Sequence, residues 1–490
     1  MHLTEVNLKW LDQRFLRAAD GSYFAHEPIY GLEGKACSES NPIIRYARIF
    51  QIFRLLNRMM PFRTLLDVGG AEGFVAHLAR RLFGVEAVTF DLSKEANHRA
   101  RELFNLDGVT GVSHQLPFRS KAFDTVLCLE VIEHLEAPLH SLLELGRVCS
   151  QHLVISSVNF SLSEEDRARR LASRRMQFHF DRNCFLKKDL EVLLGSEDLL
   201  VVDQHVPLDP TRLSEITDSE IARDLILRSC PLDQRKTNAQ IVLKSKIVLP
   251  QGKGFLPEKT MLEMILGEKA EPDKIFFQPP ATVRDDILRL FCCPDCQGLS
   301  GEEVPLDLLT GHDYQQLACR ANLHRYPVEK GVPILYPVGH RTPARLETIL
   351  RGRSYSQGDI GYVLDLDREL TMPEDSPHVE GFIEEPVPNA EIGGVANIKG
   401  WAIDFGSGSG LAVEPFVDGR SIGSVQNDMP GSDVADFFAR IGIKVPLRNR
   451  FLLCFDTKRL TRGWHTLRVV ARTPSGAIFE VGQNSFRVVE

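Results

Sequence analysis

TLLDVGGAEGFVAHLA, residues 64–79, is the stretch that decides the fold. An apolar run ends in Asp67, a turn of small residues follows, and a helical pattern opens at Phe74. Gly69 and Gly73 let the backbone turn sharply and leave room for a ligand against the main chain. Beyond them, FVAHLARRLFG sets Phe74, Leu78 and Leu82 on one helical face, with Gly84 as the stop. Further along stand EAVTFD, FDTVLCLE, HLVISSV, DLLVVD and QIVLKSKIV. All but the last are short and apolar nearly throughout, as buried parallel strands are. Strand candidates alternating with helical segments predict a doubly wound α/β sheet. Asp67 is placed to accept from a ligand donor or to orient the loop. Asp91 closes VTFDLS, where a carboxylate can take both hydroxyls of a ribose. A dinucleotide fingerprint would want G-x-G-x-x-G spacing, which GGAEGF does not supply.

The chain's 490 residues exceed a single core and predict about three domains. Hydrophobic content of 43% and charged content of 25% are ordinary for globular protein. A net charge of −8 and pI near 6.0 argue against a generally nucleic-acid-binding surface. No apolar run reaches the length of a membrane span. MHLTEVNLKWLDQRF lacks the basic-then-apolar plan of a secretory signal, so the expected location is cytoplasmic. Of the ten cysteines, Cys292, Cys293, Cys296 and Cys319 cluster, which reads as metal binding rather than disulfides.

DVGGAEG, VTFDLS, SHQLPFRSKAFDTVLCLEVIEHL and HLVISSVNF, in that order, resemble the class I S-adenosylmethionine-dependent methyltransferases, of the type 11-like group. The resemblance covers roughly residues 40–250 and implies a Rossmann-like seven-stranded domain with S-adenosyl-L-methionine as cofactor. It implies that the DVGGAEG loop wraps the methionyl part and that Asp91 holds the ribose. The middle glycine of the usual loop is Ala71. Where an acid commonly reads the adenine amino group the chain has Val112, so Ser113, His114 or a backbone carbonyl takes that contact.

CLEVIEHLEAP, residues 128–138, carries Glu130, Glu133 and His134. If a helix opens there, these three lie at i, i+3 and i+4 on one face. In one reading Glu130 lines the cofactor pocket and His134 is the base that removes a proton from the acceptor. In the other, Glu130, Glu133 and His134 are ligands of a divalent ion. EVIEH is similar to the metal-binding segment of small-RNA 3′-end 2′-O-methyltransferases and of some quinone-biosynthesis enzymes; the resemblance to the RNA enzymes implies His179 as a further ligand and Mg or Mn as the ion. Arg167, Arg169, Arg170, Arg174 and Arg175 precede His179; they form either a solvated helix face or a site for an anionic acceptor.

Cys293-x2-Cys296 and Cys319-x4-His324 supply three thiolates and an imidazole, a closed tetrahedral set for structural zinc. HRYPVEKGVPILYP resembles the end of a small zinc-ribbon family, seen as an activating partner of certain RNA and protein methyltransferases. The usual second pair is C-x2-C, so His324 departs from that pattern. From Gly381, alternating strands broken by DG and PSG turns predict an antiparallel sandwich. This segment resembles immunoglobulin-like modules at the ends of bacterial surface-glycan enzymes. Trp401 and Trp464 can stack on a sugar ring or belong to the sandwich core and edge.

The expected fold is multidomain. It combines an α/β doubly wound methyltransferase, a small zinc ribbon and an all-β sandwich. The expected boundaries are a helical lid region at 1–60, the methyltransferase at 61–250 and a linker at 251–283. The zinc ribbon follows at 284–338, then a second linker at 339–380 and the sandwich at 381–490. The expected function is O-methylation of a glycan or lipid-linked saccharide in bacterial surface-polysaccharide assembly, with an anionic acceptor and a protein partner reached through the sandwich. The alternatives are a metal-assisted RNA 2′-O-methyltransferase and a catalytically degenerate scaffold.

Overall fold

The computed structural model describes residues 8, 11–16, 25–31, 42–135, 137–157, 163–172, 183–194, 199–203, 220, 224, 226, 239–245, 254–270, 282–311, 314–337, 346–352, 355–370, 379–387, 389–404, 411–440, 445–474, 476 and 478–489. The chain divides into two compact units. The larger comprises Leu8–Arg167 and Asn183–Leu370, and the smaller holds Thr371–Glu490.

The larger unit is built on a seven-stranded sheet of order β3-β2-β1-β4-β5-β7-β6. Its strands are β1 Thr64–Val68, β2 Glu86–Asp91, β3 Asp107–Thr110, β4 Phe123–Leu129, β5 Cys149–Ser156, β6 Leu199–Asp203 and β7 Ala239–Ser245. β1 through β5 run parallel, and β7 is antiparallel to both β5 and β6. The strand order reverses between β1 and β4, the kind of point at which open α/β sheets bind ligands. β3 was not among the sequence candidates: it has four residues and opens on Asp-Gly, which reads as a turn.

Helices α1 Pro42–Met59, α2 Phe74–Phe83, α3 Lys94–Phe104 and α4 Pro138–Val148 pack on this sheet. α1 is a core element rather than a lid. Its Tyr46, Phe50, Phe53 and Leu56 join Phe74, Leu78 and Leu82 of α2 in one apolar cluster. Each such fully buried side chain contributes about 2 kcal/mol relative to exposure. Part of the expected 251–283 linker belongs to the same core. There α5 Glu258–Gly267 buries Met261, Leu262 and Ile265. His77 Nε2 meets Glu268 Oε1 at 2.9 Å, and Asn57 Nδ2 donates to the Leu256 carbonyl at 2.8 Å.

Part of the expected 339–380 linker is likewise structured. It contains α6 Leu346–Gly352 and α7 Gln357–Leu370. The Tyr362 hydroxyl of α7 donates to Asp189 Oδ1, and the Tyr355 hydroxyl donates to the Leu193 carbonyl at 2.6 Å.

A ribbon docks on the open edge of the sheet. β8 Leu306–Thr310, β9 Gln315–Cys319, β10 Arg325–Glu329 and β11 Val332–Pro333 form an antiparallel sheet of order β11-β10-β9-β8. Lys330 and Gly331 both take positive φ in the two-residue turn that joins β10 to β11. The chain beyond β11 then runs parallel to β3, pairing Thr110 with Ile334, and Phe118 pairs antiparallel with Phe291.

The smaller unit contains two antiparallel-based sheets. One has β12 Val379–Glu385, β14 Val395–Asp404, β18 Met429–Pro430 and β19 Arg448–Asp456. The other has β13 Ala390–Ile392, β15 Ala412–Val417, β16 Arg420–Ser421, β20 Gly463–Arg472 and β21 Ile478–Val488, with β17 Val425–Gln426 on β15. Val413, Phe451, Leu467, Val469 and Phe486 form its core. Asp418 and Gly419 supply the positive-φ turn between β15 and β16. Trp401 packs edge-on against Phe438, with ring centres 5.8 Å apart, whereas Trp464 is 61% exposed.

Candidate functional site

The carboxyl ends of β1, β2, β4 and β5 bring five sequence-predicted residues, Asp67, Gly69, Gly73, Asp91 and Glu130, together with two that were missed. After β1 the chain turns with positive φ at Gly69, Ala71 and Gly73. A Cβ on Gly69 would stand 2.2 Å from Val131 Cγ2, so only glycine lets this turn press against the loop after β4. Ala71 takes φ 46°, the left-handed geometry that a glycine would adopt at less cost.

Asp91 fixes this turn. Its Oδ2 accepts from the Ala71 N–H at 3.0 Å and its Oδ1 from the Ser93 N–H at 2.8 Å. Asp67 is buried, and its Oδ2 has no hydrogen-bond partner. Burial, and then the neighbouring Asp91, raise the Asp67 carboxyl to about 7. Burial raises Asp91 to about 6, against the two backbone donors that lower it.

Glu72 and Glu27 were not singled out from the sequence. Glu72 lies inside the quoted turn, fully buried, and its Oε1 accepts from the Glu27 N–H at 2.9 Å. Burial raises the Glu72 carboxyl and takes that of the half-buried Glu27 to about 8, with Arg45 and Arg48 acting in the opposite direction on Glu27. Arg45 and Arg48, three apart in the otherwise apolar start of α1, were the readable signal that this helix faces a polar site.

Glu130, the residue directly after β4, has φ 55°, a left-handed conformation uncommon outside glycine and concentrated at functional sites. Its Oε1 accepts from the Ser156 hydroxyl at 2.9 Å, and its Oε2 lies 3.2 Å from Arg48 Nη1. No helix opens at this point. A single 3₁₀ turn, Ile132–His134, follows instead, so the expected i, i+3, i+4 stacking of Glu130, Glu133 and His134 is not formed. Glu133 is buried and His134 half-buried. Among the described residues, Cys293, Cys296, Cys319 and His324 alone form a group of His, Cys, Asp or Glu donors converging as a metal would require; the EVIEH segment does not. His179 lies outside the described residues, as do Arg174 and Arg175. Arg167 is buried, with Nη1 2.8 Å from Asp189 and Nη2 3.0 Å from Glu369, which removes it from any solvent-facing cluster.

At the end of β3, Ser113 Oγ lies 2.9 Å from Ser141 Oγ. Burial, and then His140, hold the His114 imidazole near a pKa of about 4, so it is neutral at ordinary pH.

In the ribbon, the donor atoms of Cys293, Cys296, Cys319 and His324 lie within 4.8 Å of one another. His324 turns Nδ1 inward, 3.3 Å from Cys293 Sγ and 3.7 Å from Cys296 Sγ. Asn322 Nδ2 donates to Cys296 Sγ at 3.0 Å, and the Tyr326 hydroxyl, which donates to Asp295 Oδ2 at 2.7 Å, lies 3.1 Å from Cys293 Sγ. Cys292 is buried and directs its N–H to the Pro117 carbonyl at 2.9 Å, outside this donor set.

Among the described residues no helix is long and apolar enough to cross a membrane. Residues 66–153 match the family described as the methyltransferase domain. A SAM-dependent methyltransferase structure from Thermotoga maritima is 18% identical, covering 41% of this chain and 89% of that one at a TM-score of 0.30. Geranyl diphosphate C-methyltransferase from Streptomyces coelicolor is 17% identical, covering 50% of this chain and 98% of its own at a TM-score of 0.30. A chain from the complex of the Haloferax volcanii Trm112 methyltransferase activator with a methyltransferase is 16% identical, covering 41% and 96% at a TM-score of 0.29. No curated protein matches. A glycine-turned loop after the first strand, an acid closing the second and the match over residues 66–153 converge: this chain carries an S-adenosylmethionine-dependent methyltransferase domain.

Proposed function

We propose that this methyltransferase acts on a hydroxyl of a saccharide, free or lipid-linked, in the assembly of a bacterial surface polysaccharide. The observation that carries the cofactor half of this reading is the group of acids at the strand ends. Asp67, Glu72 and Asp91 are buried together, and Asp67 and Asp91 sit above the ordinary carboxylate range. A bound cation relieves such crowding. S-adenosylmethionine fits this site, since it brings a sulfonium and an ammonium. When bound, it supplies an electrophilic methyl group.

The chain's own residues then have distinct tasks. Asp91 would take the ribose hydroxyls while its backbone bonds hold the turn. The N–H groups and small residues of 69–73 would embrace the methionyl part. Ser113 and His114 would lie at the adenine. Glu130, oriented by Ser156 and Arg48, would face the transferable group, and His134 would accept the proton from the acceptor hydroxyl. Cys293, Cys296, Cys319 and His324 would hold zinc in a closed, structural site. That reduced thiol set supports a cytoplasmic location.

The saccharide acceptor rests on the resemblance of the sandwich to modules of surface-glycan enzymes and on the exposed Trp464, whose face suits a sugar ring. The metal-assisted RNA reading gains nothing from the described residues, because Glu130, Glu133 and His134 do not converge.

The test is direct. S-adenosylhomocysteine should raise the melting temperature; no shift would favour a scaffold. Labelled cofactor should then transfer methyl to a saccharide or lipid-glycan pool. Transfer to RNA alone, restored by added magnesium or manganese, would replace the saccharide reading with the metal-assisted one.

A further inference from the structure

We propose that the outgoing segment of the ribbon, Ile334–Tyr336, is a wall of the nucleoside end of the cofactor site, so that this module contributes to binding as well as to its own fold. The inference rests on the cofactor reading above.

Ligands of open α/β sheets lie beyond the carboxyl ends of the parallel strands. β2 ends at Asp91 and β3 at Thr110. The ribbon chain reaches both ends. Leu335 donates its N–H to the Thr110 carbonyl at 2.7 Å, extending the sheet by one short parallel pairing. Gly111 makes room for that approach: a Cβ there would stand 3.3 Å from the Leu335 carbonyl oxygen and 3.1 Å from the Phe90 ring. Tyr336 then crosses to β2, where its hydroxyl donates to the carbonyl of Leu92, the residue directly after Asp91.

Two further observations place Tyr336 at this end of the site. Burial, and then Asp12, Asp91 and Glu329, raise its phenol, so the ring lies among the acids that border the ribose position. Leu335 and Pro337 are buried whereas Tyr336 is only half-buried, so of the three this residue alone keeps exposed surface at the strand ends. Val112, just past the end of β3, brings no polar side chain for a base. An aromatic ring at the ends of β2 and β3 instead offers a stacking surface, which every purine accepts.

The strand that leads into this segment is tied to the helix after Asp91. Lys94 Nζ lies 3.0 Å from Glu329 Oε2, and His98 Nε2 lies 3.2 Å from the Glu329 carbonyl. Both residues belong to α3, the helix that follows Asp91.

The experiment uses the full chain with its metal bound. Affinities for S-adenosylhomocysteine and for 5′-methylthioadenosine, which keeps the nucleoside and lacks the amino acid, are measured by calorimetry. Tyr336→Leu fills space without a ring, and Tyr336→Phe restores the ring. Loss of stacking should weaken both ligands about tenfold in the leucine variant. The phenylalanine variant should stay within about threefold of the parent. A leucine variant that binds both ligands like the parent overturns the proposal. So does a loss that tracks the melting temperature equally in both variants, since that assigns Tyr336 to folding alone. If the unaltered chain binds neither ligand, the cofactor reading itself falls, an outcome distinct from the other two.

Discussion

Arg48 of α1 reaches Glu130 at the end of β4, with its Nη1 3.2 Å from the carboxylate. This pair joins a helix that precedes the sheet to the strand end where the methyl group would be transferred. Both side chains are partly exposed, so the attraction contributes at most about 1 kcal/mol to stability. Glu130 nevertheless sits in a left-handed conformation that costs roughly 1–2 kcal/mol. A residue held in strain by weak stabilising bonds is more economically explained by its chemistry than by the fold. Glu130→Gln keeps the acceptor for Ser156 and removes the charge. The melting temperature should move little, while methyl transfer, followed by release of S-adenosylhomocysteine, should fall at least about tenfold. Unchanged turnover would take Glu130 out of the site.

Asp67 makes a prediction about pH. Its carboxyl is raised to about 7, so the folded chain binds that proton more tightly than the unfolded chain does. Its contribution to stability is present below the unfolded value of about 4 and is lost as the pH rises to about 7. The ligand-free protein should lose stability across that interval, and Asp67→Asn should flatten the slope. Affinity for the positively charged cofactor should change in the opposite sense, rising as Asp67 and Asp91 ionise. Melting curves and binding isotherms at steps between about pH 5 and 8 test both signs. An asparagine variant with the parent's slope would assign the dependence elsewhere.

How much of this could be read beforehand depended on whether the signal was local. β1, its turn and Asp91 were legible because a buried strand, a glycine turn and a strand-ending acid are contiguous patterns. The four residues of β3 were not, since Asp107-Gly108 mimics a turn and the strand exists through pairing with β2. The stacking expected of EVIEH failed because Glu130 takes a positive φ and a single 3₁₀ turn follows it, while its partners Ser156 and Arg48 are distant in sequence. Glu27 gave no local cue: its backbone meets Glu72 across 45 residues. The same holds for Tyr336, which follows a recognisable ribbon hairpin but contacts Leu92, 244 positions away. Residues 254–270 and 346–370 looked like linkers because their apolar faces are short and their partners distant.

Asp91 carries more than a ribose contact. Its two oxygens each accept a backbone N–H, one from the turn after β1 and one from the start of the β2–α3 connection. Asp91→Ala removes both acceptors and leaves two buried donors unsatisfied, at about 1–3 kcal/mol each. Asp91→Asn can replace only one, because its amide nitrogen faces a donor. Both variants should lose affinity for S-adenosylhomocysteine by at least about tenfold, with alanine also lowering the melting temperature. A folded alanine variant with unaltered affinity would contradict the assignment of this acid to the cofactor.

The ribbon predicts a coupling between metal content and the methyltransferase. Its fold is too small to rest on its own apolar core, so a metal held by Cys293, Cys296, Cys319 and His324 would supply much of its stability. The cluster is also mechanically linked to the sheet. Cys292 donates to Pro117, Arg119 donates to Leu290 at 2.9 Å, and Arg147 Nη1 lies 3.2 Å from Glu303 Oε1. Loss of the ribbon would therefore strip bonds from the loop between β3 and β4. Elemental analysis should find one zinc per chain, and Cys296→Ser should lose it. The serine variant should melt at lower temperature and bind S-adenosylhomocysteine more weakly. Cys454→Ser, at an exposed position of the sandwich, should leave zinc, melting and binding as they were. Binding energy is reciprocal, so S-adenosylhomocysteine should also slow the release of zinc to a chromogenic chelator. Release at the same rate with and without the ligand, alongside a serine variant of normal affinity, would show that the ribbon and the cofactor site are energetically independent.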